Sequence, residues 1–227
     1  MVSLARTIPL FKSTVEDYVK GNPAAILVVE FSEETWSGNL SKVDQLKEIM
    51  VAIFSENLKK CKTDQGIVVI EPLVEQNRIS EMRKSGLNIM MSMKSDAKPV
   101  SFVEDCAVPL PHLADYTQGL TDIFKKHGTH GTWYAHASVG CLHVRPILNM
   151  KIGSDVAKMR AIALEAFELV KKFSGSHSGE HGDGISRSEF NPVMFGDKLN
   201  TAFITLKKIL DPSDLFNPGK IVNAPKM

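Results

Sequence analysis

Two strand-like runs, His130 to Ala137 and Leu142 to Leu148, stand close together in the middle of the chain, and Gly140 between them permits the tight turn of a hairpin. Helical patterns lie on both sides of this pair. The clearest is a stripe of Val156, Met159, Ala163, Ala166 and Val170, with Ser154 before it and Gly175 after it. A strand pair flanked by amphipathic helices calls for a sheet that is apolar on the side the helices cover. That is an α+β arrangement with a mostly antiparallel sheet and helices packed on one face.

The rest of the chain fits this frame. Apolar runs at Pro23 to Phe31 (PAAILVVEF), Gly66 to Leu73 (GIVVIEPL) and Val100 to Glu104 (VSFVE) read as three further strands. Val43, Leu46, Met50 and Ile53 recur at helical spacing, with Ser41 and Asp44 resembling a capping box. A mixed segment from Ile79 to Met93 reads as a helix fraying towards Ser95. Leu113, Tyr116, Leu120 and Ile123 mark another helix, which Gly128 can end in a left-handed turn. Leu199, Phe203, Leu206 and Leu210 mark the last, stopped at Asp211-Pro212. The expectation is one domain over residues 1–227, with arms that reach another domain.

Composition narrows the function. Against 26 acidic residues stand 27 basic ones, a formal net charge of +1, so nothing favours nucleic acid or an anionic membrane. Cys61, Cys106 and Cys141 are too few and too scattered for a disulfide framework, which suits a reducing compartment. With no span-length apolar run and no signal peptide at the start, the expected location is cytoplasmic, peripheral to a membrane only through parts not present here.

Two segments concentrate Gly, His and charge where a core-building pattern would not. The first is His136-Ala-Ser-Val-Gly-Cys-Leu-His143, followed by Arg145. The second is Ser178-Gly-Glu-His-Gly-Asp-Gly184, followed by Arg187. A hairpin turning at Gly140 brings both imidazoles together, and Glu180 adds a carboxylate. Two histidines and one carboxylate with open positions suit zinc, manganese or iron. His181, beside Glu180, is placed to accept a proton without ligating. The bland readings stand beside this one: ordinary surface histidines, and a polar loop or anion-binding nest. Cys141 reads as a small apolar strand residue, the Met90, Met91 and Met93 cluster as core, and Asp183 and Arg187 as a local ion pair.

HASVGCLHVRP, SGEHGDGISRSEF and LDPSDLFNPGKIV, in that order, resemble the C-terminal domain of FAD-linked oxidases of the D-lactate, glycolate and D-2-hydroxyglutarate dehydrogenase group. Weaker likeness runs through PAAILVVEF, MRKSGLN and SFVEDCAVPL. The wording EDCAVPL, YAHASVGCLHVRP and MFGDKLNTAF is most similar to the branch fused to an iron-sulfur domain. The resemblance implies a ferredoxin-like cap domain. It also implies that the flavin-binding half and the iron-sulfur domain are neighbours missing from this chain.

The same resemblance implies roles. His136, His143 and Glu180 match metal ligands, with zinc the expected ion, and His181 the neighbouring base. Arg83, Lys98 and Arg145 match or stand near positions that hold substrate carboxylates, and Asn217 lies in a segment that packs towards FAD. The implied substrate is a small D-2-hydroxyacid, oxidised with hydride transfer to flavin. Electrons then pass to an iron-sulfur domain or an external acceptor. Departures bear on substrate identity. Many relatives carry HxGDGNLH, so Val139 and Cys141 replace an Asp and an Asn, Arg145 stands where Asn is common, and Ser80 where Trp is frequent. A free-standing metal-dependent hydrolase and a non-catalytic interaction subunit are the alternatives.

Overall fold

The computed structural model describes residues 2–58 and 66–227, with backbone alone for 54–58, and it separates into two compact units, Met1–Ile89 and Met90–Met227. Cys61 lies outside the described residues.

The first unit holds α1 (Val2–Ala5), α2 (Pro9–Tyr18), α3 (Trp36–Leu58) and α4 (Leu73–Lys84), with α5 (Gly86–Met91) running out of it. A small core of Ala5, Val15, Val19, Met82 and Ile89 joins α1 and α2 to α4 and α5. Arg78 of α4 ties this together by pairing with Asp17 at 3.0 Å and Glu75 at 2.6 Å.

Three expectations fail in this unit. Residues 23–31 form no strand; the segment joins no ladder among the described residues, leaving Leu27 68% exposed. An apolar β-branched run favours extension but cannot supply its own ladder partner. Residues 67–72 likewise enter no ladder, and Leu73 opens α4 because Pro72 takes the N-cap position. Finally, α3 begins five residues before Ser41: the Thr35 hydroxyl accepts the Gly38 N–H at 3.1 Å, so Thr35 rather than Ser41 caps the helix.

The second unit carries the sheet. Its strands are β1 (Lys98–Pro99), β2 (Cys106–Ala107), β3 (Gly131–His136) and β4 (Cys141–Leu148), all antiparallel about the central β4. The hairpin β3–β4 pairs Gly131 with Pro146 through to His136 with Cys141. On the other edge β1 pairs with Ile147 and Leu148, and β2 with Cys141 and Leu142. The expected strand Val100 to Glu104 is absent. It is replaced by a buried bend between β1 and β2, in which Asp105 takes a left-handed φ of 55°. Buried carboxylates at 104 and 105 seek charged partners that a ladder could not give them.

Period-two alternation sorts β4 into two faces. Leu142, Val144 and Leu148 enter a core with Tyr116, Leu120 and Phe124 of α6 (Leu113–Lys126) and Ile162, Ala163, Ala166, Phe167 and Val170 of α7 (Gly153–Lys172). Cys141, His143 and Arg145 therefore point to the opposite face. Both helices and the left-handed Gly128 agree with the sequence. The last helix, α8 (Asn191–Leu210), is broken at Gly196, and its stripe stays largely out of the core: Leu199, Leu206 and Leu210 are exposed. Met90 is buried but Met91 exposed, so only part of the methionine cluster is core. Among the described residues, no helix is long and apolar enough to cross a membrane.

Candidate functional site

Because cross-strand partners share a face, the pairs Tyr134 with His143 and His136 with Cys141 place both histidines on the side of the sheet away from α6 and α7. A 3₁₀ turn at Ala137–Val139 and the left-handed Gly140 (φ 68°) close the hairpin. A Cβ at 140 would lie 1.9 Å from the Val108 carbonyl oxygen, so the turn admits only glycine. The imidazole rings of His136 and His143 meet edge to face, with centroids 5.1 Å apart.

The loop after α7 delivers the carboxylate. Glu180 Oε1 lies 2.9 Å from His143 Nε2 and 3.5 Å from His136 Nε2. One donor atom from each of His136, His143 and Glu180 falls within 4.8 Å of the others, the spacing of a cation site. His181 stacks on His143 at 5.1 Å, and its Nε2 is 4.0 Å from Glu180 Oε1. The four residues singled out from the two motifs thus converge. His143 is buried, whereas His136, Glu180 and His181 are open to solvent on one side.

Buried charge surrounds this group. Glu104 accepts hydrogen bonds from Arg145 Nε at 2.6 Å, from Arg145 Nη2 and from the Ser101 hydroxyl, and His143 Nδ1 lies 3.4 Å from it. Burial pushes the Glu104 carboxyl up, but the adjacent His143 and the bonds from Arg145 and Ser101 outweigh it and hold the group at about 2. Asp105 is fully buried. It accepts the Glu180 N–H at 2.8 Å, the His181 N–H at 2.7 Å, the Ser178 hydroxyl at 3.1 Å and the Arg187 guanidinium. Against the cost of burial, those backbone bonds and Arg187 keep Asp105 below the usual carboxylate range.

Arg187 was expected to pair with Asp183. Its side chain goes instead to Asp105 and to the carbonyls of Glu104, His177 and Gly182, while Asp183 sits 3.1 Å from the buried His177. Cys141, the partner of His136 across the hairpin, has Sγ 3.6 Å from Glu180 Oε1. Burial and the adjacent Glu180 push its thiol up to about 12, so without a metal it stays protonated.

The other expected residues are placed as follows. Arg145 shares the histidine face but is committed to Glu104. Lys98 faces Leu148 across β1–β4, on the core side, with its ammonium on the carbonyls of Met91 and Met93. Arg83 stands half-buried on α4 in the first unit. Asn217 is exposed in the C-terminal segment, its side-chain oxygen accepting from Lys220 at 3.4 Å. Glu104, Asp105 and His177 were missed as site residues. The signal for the first two was present in SFVEDCAVPL, where two adjacent carboxylates interrupt an apolar run.

The family model for FAD linked oxidases, C-terminal domain, matches residues 8–221, a span that takes in every one of these elements from α2 to the tail. The chain belongs to the FAD-linked oxidase C-terminal domain family. Among its relatives, a D-2-hydroxyglutarate dehydrogenase of Pantoea ananatis is 38% identical over 156 residues, covering 69% of this chain and 15% of that protein. A protein of the same name from Haemophilus influenzae is 32% identical over 195 residues, 86% of this chain and 18% of its own length. The glycolate oxidase subunit GlcD of Bacillus subtilis is 26% identical over 210 residues, 91% of this chain and 42% of its own. This FAD-linked oxidase domain therefore spans under a fifth of these two dehydrogenases and under half of the oxidase subunit.

Proposed function

We propose that this domain forms the metal- and substrate-binding part of a flavoenzyme that oxidises a D-2-hydroxyacid, in the class of D-2-hydroxyglutarate, D-lactate or glycolate, to the 2-oxoacid. The observation that carries the reading is the convergence of His136, His143 and Glu180 on one point with His181 beside them. Two imidazoles and a carboxylate are a donor set that zinc accepts, and Glu104 next to His143 Nδ1 matches the usual support behind a ligating histidine. These residues fit the ion the family implies.

A divalent ion held by His136, His143 and Glu180 would supply Lewis acidity at the substrate hydroxyl, and the FAD of a neighbouring domain would supply the hydride acceptor. Everything else falls to side chains. His181 accepts the hydroxyl proton: its exposed ring is held against His143 by stacking, and its backbone N–H is pinned to Asp105. The substrate carboxylates are assigned to the basic groups Arg83, Lys98 and Arg145. Lys98 and Arg145 already satisfy backbone carbonyls and Glu104, so each would serve only by sharing its donors. Asn217 is assigned to the flavin-facing segment, and the electrons leave through an iron-sulfur domain or an external acceptor.

The test has two arms. Zinc analysis of the purified chain after loading and dialysis should give one ion per chain, and none for His143→Ala. In the complete polypeptide that carries this domain, D-2-hydroxyglutarate, D-lactate and glycolate should be compared in dye reduction. No stoichiometric zinc in the wild type, or no turnover of any 2-hydroxyacid by the complete protein, would sink the proposal.

A further inference from the structure

The two motifs that make the site lie about forty residues apart, and each depends on the same dipeptide. Glu104 and Asp105 are 3% and 0% exposed, a costly place for adjacent carboxylates unless each is fully engaged. The left-handed φ of Asp105 sends them in different directions. Glu104 turns to β4, where it meets His143 Nδ1 at 3.4 Å and pairs with Arg145 two residues on. Asp105 turns to the loop, where one carboxylate oxygen takes the backbone N–H groups of both Glu180 and His181.

The main chain of the segment does the same. The Asp105 carbonyl accepts the Gly179 N–H at 2.7 Å, and Ala107 exchanges bonds with Ser176 at 2.9 and 2.8 Å. On the opposite edge Cys106 and Ala107 pair with Leu142 and Cys141 of β4. Arg187 locks the arrangement, donating to the Asp105 carboxylate and to the Glu104 carbonyl.

We propose that Glu104 and Asp105 are the positioning residues of the candidate metal site. Glu104 orients the His143 ring, and Asp105 sets the backbone from which Glu180 and His181 project. Ion affinity and coordination geometry at the His136, His143 and Glu180 set then depend on two carboxylates that stand outside that set. This inference rests on the metal reading above and deepens it. A core role alone would cost stability without changing the ion's surroundings.

Cobalt(II) binding to the purified chain, followed by its visible ligand-field absorption, separates the two. Glu104→Gln and Asp105→Asn keep shape while weakening one set of bonds each. Each should weaken cobalt binding roughly 10- to 100-fold and shift the ligand-field bands. Amide hydrogen exchange should quicken at Glu180 and His181 in Asp105→Asn and stay slow there in Glu104→Gln. Conservative Asp105→Glu should not rescue, because the longer arm displaces the carboxylate from both amides. His143→Ala, which removes a ligand, serves as the non-binding control. If the wild type binds cobalt and both variants bind it equally well with the same spectrum, the inference fails and the metal reading survives. If the wild type binds no cobalt, both fall. Should Asp105→Asn fail to fold, Glu104→Gln decides alone by its affinity and spectrum.

Discussion

At the scale of single residues, the site is built from side chains whose freedom has been removed by contacts behind them. Gly140 shows how tight that is. Its φ of 68° and the 1.9 Å approach of the Val108 carbonyl leave no room for a methyl group. Gly140→Ala should therefore cost at least the roughly 1–3 kcal/mol of a strained backbone. The same change should disturb the approach of the His136 and His143 rings, read out as a lower melting temperature together with weaker zinc binding; an unchanged melting temperature would contradict the geometry. In the complete enzyme, His181→Ala should lower kcat far more than it raises KM, because His181 is assigned to proton transfer. Arg83→Ala should chiefly raise KM, because Arg83 is assigned to binding. Equal small effects on both parameters would remove the two residues from the mechanism.

At the scale of elements, one polar side chain can end a helix and hold the segment that follows it. Asp211 stops α8 and organises the tail after it, accepting the backbone N–H of Leu215 at 3.0 Å and of Phe216 at 2.8 Å as well as the Lys207 ammonium. The hydrogen bond from Lys207, followed by that from Phe216, holds its carboxyl at about 2, below the ordinary 3.8. A depressed carboxylate stabilises the fold above its unfolded value, and this contribution is lost as pH falls from about 4 through 2. Protection of the Leu215 and Phe216 amides should fall across that window. Asp211→Asn should lower it already at neutral pH; equal protection in wild type and variant would refute the role. The apolar elements behave differently. The stripes of α6 and α7 are filled by the sheet, whereas that of α8 and the apolar run at 23–31 present apolar side chains to solvent.

At the scale of the whole molecule, the domain carries a donor set and a candidate base, and the proposed oxidation needs a flavin, which the proposal assigns to a neighbouring domain. The purified chain should accordingly be colourless, with no stoichiometric flavin absorbance. Zinc should stabilise it by linkage: at a free concentration 100 times Kd the gain is about 2.7 kcal/mol, seen as a higher melting temperature that a chelator reverses. His143→Ala should show no such shift.

Local pattern alone was enough for α6, α7, the β3–β4 hairpin and Gly128, because amphipathic periodicity and turn glycines are properties of consecutive residues. The approach of the His136 and His143 rings was legible for the same reason, since a hairpin brings sequence neighbours together. Glu180 and His181 were legible through their motif. Tertiary structure decided what depends on partners distant in the chain. PAAILVVEF and GIVVIEPL have strand composition, but a strand exists only where another backbone meets it, and here none of the described residues does. VSFVE became a buried bend because Glu104 and Asp105 had to reach Arg145 and Arg187, 41 and 82 residues away. For the same reason Arg187 left its neighbour Asp183 for Asp105. Charge in a buried place goes where its counter-charge can follow it out of water, and no local pattern records which one that is.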